Sequence, residues 1–164
     1  MKNYLCSALI LLAMVSCDNK KEAVKTSYKT PDMKLASDVM TPEVLWSFGR
    51  IGSVSVSPDQ KTLVYDVTYF NKEEDRSYSD IYVMNLADGK SQQLTDTDYK
   101  EFGETWTSDG KIAFMSSKSG SVQLWEMNAD GSGLTQLTNI EGGIGGFIFS
   151  PDKSKLLFLK DVKL

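Results

Sequence analysis

The chain contains no histidine, only two cysteines, and no large surplus of either charge. Histidine is the commonest general base, and a serine–histidine–aspartate triad needs its imidazole to move the proton. These 164 residues therefore cannot assemble that triad. The 22 acidic and 18 basic side chains give a net charge of −4, which lacks the basic footprint of a nucleic-acid-binding protein. We expect no nucleic-acid partner.

Both cysteines lie near the start, in a segment that has the character of a targeting signal. Lys2 precedes an apolar run, residues 5–15, that is too short to span a bilayer comfortably. The run leads into Cys17, with the small Ser16 before it and the apolar Met14 at the third position before it. This arrangement resembles a bacterial lipobox, whose cysteine becomes lipidated.

Residues 1–17 are thus expected to be a lipoprotein-type signal peptide with Cys17 as the lipidation site. Cys6 leaves with the signal, so the mature chain has neither a free thiol nor a disulfide. Residues 18–39 are polar and charged and are expected to form a flexible tether. The predicted location is the cell envelope, with a lipid anchor in a membrane and a periplasmic or surface-facing domain. An ordinary secretory signal with an incidental cysteine is the alternative.

The rest of the chain repeats itself. Six residues of one unit return 43 positions later: Ile81, Tyr82, Met84, Asn85, Leu94 and Thr95 recur as Leu124, Trp125, Met127, Asn128, Leu137 and Thr138. A turn signature precedes a short apolar strand three times, at 57–59 (Ser-Pro-Asp), 107–109 (Thr-Ser-Asp) and 150–152 (Ser-Pro-Asp). A period of about 40 to 45 residues with several short strands per unit is typical of β-propeller blades.

The sequence therefore predicts an all-β fold, an incomplete β-propeller of about two and a half four-stranded antiparallel blades. The partial propeller spans residues 51–164, with blades at about 51–95, 103–138 and 144–164, the last of them incomplete. Aromatic residues recur at matching places and are expected to pack between blades: Tyr65, Tyr82, Trp106, Phe114, Trp125, Phe149 and Phe158. Since a propeller removes its exposed edges by closing into a ring, we expect the isolated arc to be marginally stable.

A short helix is predicted over residues 40–50, ahead of the first blade. Thr41 is its expected N-cap, Pro42 its first residue and Gly49 its C-terminal cap. Its apolar residues are expected to cover the first blade. Stacking of Trp46 on a ligand is the alternative.

Several polar and glycine-rich motifs are interpreted as turns. Aspartates such as Asp59 and Asp109 can bond their own backbone two residues on. Calcium binding by Asn128 with Asp130, or by Asp96 with Asp98, is the alternative, but neither pair continues into the loop spacing and terminal glutamate of an EF-hand. The glycines at 142–146 precede a strand and not a helix, so they are read as a connection between blades and not as a phosphate loop. We expect neither a metal nor a cofactor.

The stretch 71–76 is longer than the equivalent hairpin of the second unit and is expected to project at one rim. Glu73, Glu74 and Arg76 form a candidate substrate-rim loop, in which a glutamate meets a cationic group such as a peptide amine. A solvated run of charges is the alternative.

Several segments look like the propeller of the prolyl oligopeptidase family of serine peptidases, especially its dipeptidyl-peptidase and acylaminoacyl-peptidase members. They are 40–43 (Met-Thr-Pro-Glu) with Leu45 and Trp46, 49–51 (Gly-Arg-Ile), 57–59 (Ser-Pro-Asp), 80–82 (Asp-Ile-Tyr) and 94–95 (Leu-Thr). The likeness covers about residues 40 to 160, although TolB-like and other WD40-like propellers share its weaker elements.

The resemblance implies a propeller that caps a C-terminal α/β-hydrolase domain and filters peptide substrates by size. The catalytic serine, aspartate and histidine of the family have no counterpart here, so no catalytic residue is assigned. The expected function is the substrate-gating and substrate-binding part of a cell-envelope serine peptidase, without enzymatic activity of its own. The alternatives are a TolB-like module that binds proteins in the envelope and a propeller that processes or senses carbohydrate.

Overall fold

The computed structural model describes residues 38–162. The signal peptide, the lipidation site Cys17 and the tether up to residue 37 lie outside that range. The described part is one short helix followed by ten strands: α1 (Pro42–Ser47), β1 (Arg50–Val56), β2 (Thr62–Asn71), β3 (Arg76–Asn85), β4 (Ser91–Gln93), β5 (Glu101–Trp106), β6 (Ile112–Ser116), β7 (Gln123–Met127), β8 (Thr135–Gln136), β9 (Gly146–Phe149) and β10 (Leu156–Leu159).

These strands form three separate antiparallel sheets, each built from neighbours in the sequence. The first two contain four strands each, in the orders β1-β2-β3-β4 and β5-β6-β7-β8, and the third pairs β9 with β10. We call them blades one, two and three. The all-β, incomplete propeller predicted from the repeat is confirmed.

The alternation of side chains along β6 explains how the blades stack. Ile112 and Phe114 enter a buried layer with Val64 and Ile81 of blade one, and both are fully buried. Ala113 and Met115, which alternate with them, enter a second layer against blade three, where Phe147, Phe149 and Leu156 pack. The middle blade therefore supplies both faces of its sheet to the core.

Four of the seven aromatic residues expected to pack between blades do so, whereas Phe158 is 37% exposed and belongs to neither layer. Phe114, Trp106 and Trp125 pack in the first layer, and Phe149 packs in the second. Tyr65 and Tyr82 lie opposite each other in β2 and β3 and stack with ring centroids 5.5 Å apart.

The turn signature makes the same hydrogen bonds in all three blades. Ser57 Oγ donates to Asp59 Oδ1 at 2.6 Å and accepts from the Thr62 amide at 3.0 Å. Residues 107–111 and 150–155 repeat both bonds. These aspartates thus organise the turn that begins the second strand of each blade, as predicted from the sequence.

The helix differs from the prediction at its end and in its packing. It stops at Ser47, and the capping position is Phe48 in an extended conformation, so Gly49 is not the C-terminal cap. Gly49 is instead the point where the chain passes close to blade one: a Cβ there would lie 2.6 Å from Val67 Cγ1 and 2.7 Å from Tyr69 Cζ.

The apolar residues of the helix cover blade one only in part, through the contact of Trp46 with Phe70 of β2. No residue of α1 is buried, and Leu45 is 53% exposed. Apolar side chains are exposed as well on β1 and on the third blade: Ile51, Val54, Val56, Ile148, Leu157 and Leu159. The two outer blades therefore present apolar faces that no other part of residues 38–162 covers.

The glycine cluster connects blades two and three. Gly142 and Gly143 have φ angles of 80° and 84°, which favour glycine, and a Cβ on Gly143 would meet the Val122 carbonyl oxygen at 2.8 Å. The Ile144 amide donates to that same carbonyl, and β9 begins at Gly146. The cluster therefore allows a close approach between backbones, as expected.

Candidate functional site

The hairpin of β2 and β3 extends past the rest of blade one. Both strands have ten residues, whereas β6 and β7 of blade two have five each. At the tip, Asn71 Oδ1 accepts hydrogen bonds from the amides of Glu73 and Glu74, at 3.1 and 3.2 Å. Asp75 then turns the chain with φ of 49°, and Arg76 returns opposite Asn71. The predicted projecting loop is thus a well-bonded turn.

An aromatic wall joins this hairpin to α1. The rings of Trp46 and Phe70 meet edge to face with centroids 5.6 Å apart. The guanidinium of Arg50, the first residue of β1, lies 4.3 Å from the Phe70 centroid and 5.2 Å from that of Trp46. The cation holds the two rings together, so the apolar wall is fixed by the start of the first strand.

A cavity of about 660 Å³ opens between this wall, the hairpin tip and the connection to blade two. Side chains of both charge signs line it beside the aromatic rings: Lys72, Asp75, Arg76, Asp98 and Lys100. Its volume lies in the usual range for small-ligand pockets. Such a lining can pair with either charge of a ligand while the rings contact an apolar side chain.

The three predicted rim residues have different positions. Arg76 lines the cavity, and its guanidinium lies 5.5 Å from the centroid of Tyr78. Glu74 accepts a hydrogen bond from the Tyr78 hydroxyl, which raises the pKa of the tyrosine. Glu73 is exposed on the turn, outside the cavity lining. The structure therefore does not bring the two glutamates together with Arg76 at the cavity.

Buried acids beside the cavity were not anticipated from the sequence. Burial raises the pKa of Glu101 to about 7 and that of Asp80 to about 6. Glu101 follows Lys100 of the cavity wall, and Lys100 bridges to Ser79 in β3. The burial of Glu101 at the start of β5 cannot be predicted from the residues around it, because it depends on the stacking of two blades.

Metal binding finds no support in the described part of the chain. Over residues 38–162, no three or more aspartate, glutamate, cysteine or histidine side chains come together as a metal-binding group. Over the same residues, no helix combines the length and apolar character needed to cross a bilayer.

Comparison with known proteins gives both sequence and structural relatives. The chain is 46% identical over 125 residues to dipeptidyl-peptidase 5 of Porphyromonas gingivalis, which covers 76% of this chain and 18% of that protein. The chain spans about a fifth of the length of the curated relatives of this name that it matches. No protein-family model matches it.

Two solved structures show the same blade arrangement. TolB from Agrobacterium tumefaciens superposes with a TM-score of 0.54 at 27% identity, over 67% of this chain and 37% of that one. The acylaminoacyl peptidase of Pyrococcus horikoshii superposes with a TM-score of 0.57 at 20% identity, over 70% of this chain and 18% of that one. At 20% identity, the similarity to the acylaminoacyl peptidase supports the fold alone.

The repeat, the stacked blades and the sequence relatives agree with one another. The chain therefore belongs to the prolyl oligopeptidase family, as a β-propeller segment similar to the dipeptidyl-peptidases.

Proposed function

We propose that these residues are the substrate-gating and substrate-binding propeller part of a serine peptidase that acts on peptides. The observation that carries the proposal is the 46% identity to dipeptidyl-peptidase 5 across three quarters of the chain. Catalysis belongs to an α/β-hydrolase domain outside this sequence, since the chain has no histidine. Peptides are the proposed partner.

The cavity beside the long hairpin is the proposed contact with peptide. Its aromatic wall of Trp46 and Phe70 suits an apolar side chain, while Arg76 and Lys100 can pair with a carboxylate or carbonyl group of the peptide. Asp98, on the same lining, can pair with a peptide amine. A site of this kind changes binding without taking part in bond cleavage.

The test is peptide hydrolysis by the natural-length protein, measured with dipeptide chromogenic substrates and a serine-directed inhibitor. We expect inhibitor-sensitive hydrolysis, and for Arg76→Ala a rise in KM of about threefold to thirtyfold with kcat little changed. Glu73→Ala is the matched control, because Glu73 is on the same turn but outside the cavity lining. Absence of hydrolysis would reject the peptidase role, and equal KM values for the two variants would reject the role of the cavity.

The second candidate is a TolB-type binding module without enzymatic activity. The similarity to TolB, at 27% identity over 67% of the chain, favours it. A natural-length protein that lacks hydrolysis but retains a partner in pull-downs from the cell envelope would support this alternative.

Attachment to a membrane of the cell envelope is a separate part of the proposal, and it rests on the lipobox-like residues 14–17. We expect incorporation of a labelled fatty acid into the wild-type protein and none into Cys17→Ser. Cys6→Ser is the matched control, because that cysteine would leave with the signal. Label in Cys17→Ser equal to wild type would reject the anchor.

A further inference from the structure

Two buried carboxyl groups meet a single hydroxyl at the contact between β1 and β5, which we call the inner seam. Ser53 Oγ lies 3.0 Å from Asp66 Oδ1 and 3.1 Å from Glu104 Oε2. Asp66 and Glu104 are each 3% exposed. Asp66 belongs to blade one and Glu104 to blade two, so the hydroxyl connects the two blades.

The backbone is shaped for this contact. The pairing of β1 with β2 shifts register between Ile51 and Val54, and that of β5 with β6 shifts between Phe102 and Thr105. Ser53 and Glu104 are therefore at equivalent places in the two irregularities. Next to Ser53, a Cβ on Gly52 would lie 2.3 Å from Asp66 Oδ2, so only glycine leaves room there for the Asp66 carboxylate.

The number of hydrogens at Ser53 determines where a proton must be. A serine hydroxyl has one hydrogen and can donate it to only one of the two carboxyl oxygens. Asp66 Oδ1 also accepts from the Ser53 amide at 2.9 Å, which identifies Asp66 as the ionised acceptor. Glu104 Oε2 must then carry a hydrogen of its own and donate it to Ser53 Oγ.

The surroundings of Glu104 favour the same assignment. Its other oxygen, Oε1, is buried without a hydrogen-bond partner, which is far less costly for a neutral acid than for a carboxylate. Burial and then the charge of Asp66 raise the pKa of Glu104 to about 8. Of the adjoining strands, β6 carries no titratable side chain and β1 carries only Arg50, which stacks on the aromatic wall.

The neighbouring buried acids form a separate group. Glu101, three residues before Glu104 on β5, interacts with Asp80 and Lys118. Asp80 in turn accepts from the Thr97 amide at 3.2 Å. The proton shared by Asp66 and Glu104 through Ser53 is therefore not the proton that Glu101 binds.

We propose that Asp66 and Glu104 hold one proton between them through Ser53, and that its loss in mildly alkaline solution loosens the inner seam between blades one and two. With both acids ionised, the hydroxyl can satisfy only one, and two buried negative charges face each other. The seam then loses the bond between Ser53 of β1 and Glu104 of β5.

The test is amide hydrogen exchange in the natural-length protein from pH 6 to 9, corrected for intrinsic exchange rates. The reporters are the Trp106 amide, which donates across the seam to Ser55 Oγ, and the Ser53 amide, which donates to Asp66 within blade one beside the seam. We expect their protection in the wild type to fall by up to about tenfold per pH unit, the limit for one proton. In Glu104→Gln, which stays neutral, this loss of protection should be absent above pH 7.

Glu101→Gln is the matched control, because it makes the same change at a buried position on the same strand. It should leave the alkaline loss of seam protection in place. Equal pH dependence of the seam amides in wild type and Glu104→Gln would overturn the proposal.

An infrared measurement keeps the proposal testable where Glu104→Gln does not fold. In the Glu101→Gln background, the carbonyl band of a protonated carboxyl should persist at pH 7 and disappear above about pH 8. Asp66→Asn should leave that disappearance at the same pH if burial alone sets it, and move it to lower pH if the charge of Asp66 contributes, as we propose. An absent band at pH 7, or a midpoint that Asp66→Asn does not lower, would overturn the shared proton.

Discussion

Lys153 Nζ lies 2.8 Å from both carboxylate oxygens of Asp109, so the first turn of blade three is bound to the equivalent turn of blade two. Lys153 also pairs with Glu126, whose side chain is 9% exposed and which Lys111 contacts at 2.8 Å. The bonds from Lys153 and from Thr107 lower the pKa of Asp109 to about 2. One lysine therefore connects two neighbouring blades at their rim.

Replacing this lysine should weaken the contact between blades two and three. We expect Lys153→Ala to lower the free energy of unfolding by about 1 to 2 kcal/mol, because Glu126 keeps only Lys111 as its partner. Urea unfolding at neutral pH measures the change. Lys90→Ala is the control: its pair with Asp88 has a lysine side chain 85% exposed, so the change should be less than about 0.5 kcal/mol. Equal effects of the two variants would contradict the prediction.

The sequence predicted the parts of this fold that repeat locally. The Ser-Pro-Asp turn and the strands around it follow from residues within a few positions of each other, as the bonds from Ser57 to Asp59 and Thr62 show. Lys153 was not predicted, because its partner Asp109 is 44 positions away and the bridge exists only once the blades are stacked. The same holds for Ser53 and Glu104, which are 51 positions apart.

At the candidate site, the sequence predicted the projecting hairpin but not the cavity. The extra length of β2 and β3 is visible in the spacing of the repeat, whereas the wall of Trp46, Phe70 and Arg50 depends on how α1 approaches the hairpin. The charge of Glu73 and Glu74 is all that the sequence offers to mark them as site residues, and neither lies in the cavity lining.

The recurring Leu-Thr pair of the repeat has a specific role. The Leu124 amide donates to Thr138 Oγ1 at 2.9 Å, and the Ile81 amide donates to Thr95 Oγ1 at the same distance in blade one. Thr138 also donates to the buried Gln123 at 2.8 Å. The threonine hydroxyl thus accepts a hydrogen bond from a buried amide in the third strand of each four-stranded blade.

Removing that hydroxyl should leave a buried amide unpaired. We expect Thr138→Val to lower the free energy of unfolding by about 1 to 3 kcal/mol, since valine keeps the shape but not the acceptor. Faster hydrogen exchange at the Leu124 amide is the local readout. Thr135→Val is the matched control, because Thr135 is exposed and bonds only to the Gly133 carbonyl at 3.1 Å among the contacts described for its hydroxyl. Unchanged exchange at Leu124 in Thr138→Val would contradict this role.

The close approach at Gly49 gives a third prediction. An alanine Cβ would lie within 2.8 Å of Val67 and Tyr69, so both side chains must move. We expect Gly49→Ala to cost about 1 to 3 kcal/mol of stability. Gly145→Ala is the control, because its Cβ would meet only Leu159 at 4.0 Å; it should stay within about 1 kcal/mol of wild type. Urea unfolding followed by tryptophan fluorescence compares the two variants. Equal stabilities would show that a Cβ at position 49 fits beside Val67 and Tyr69 without cost.

Glu101 makes the stability of the protein depend on pH. Its side chain is 1% exposed, its Oε2 is buried without a partner, and burial is the first cause of its pKa of about 7. Because the ordinary value is 4.5, the folded state binds the proton more tightly than the unfolded state does. Stability should therefore be highest below pH 4.5 as far as this group is concerned, fall as pH rises from there to about 7, and then level off.

Replacing Glu101 by glutamine removes this titration. Glu101→Gln should gain stability over the wild type as pH rises from 5 to 8, reaching about 1 to 3 kcal/mol at pH 8. Glu141→Gln is the matched control, because it makes the same change at an exposed position. Unfolding in urea at a series of pH values measures both. A constant difference for Glu101→Gln would mean that Glu101 is ionised in the folded protein, with its charge stabilised by Lys118 and by the hydroxyls of Thr95 and Thr97.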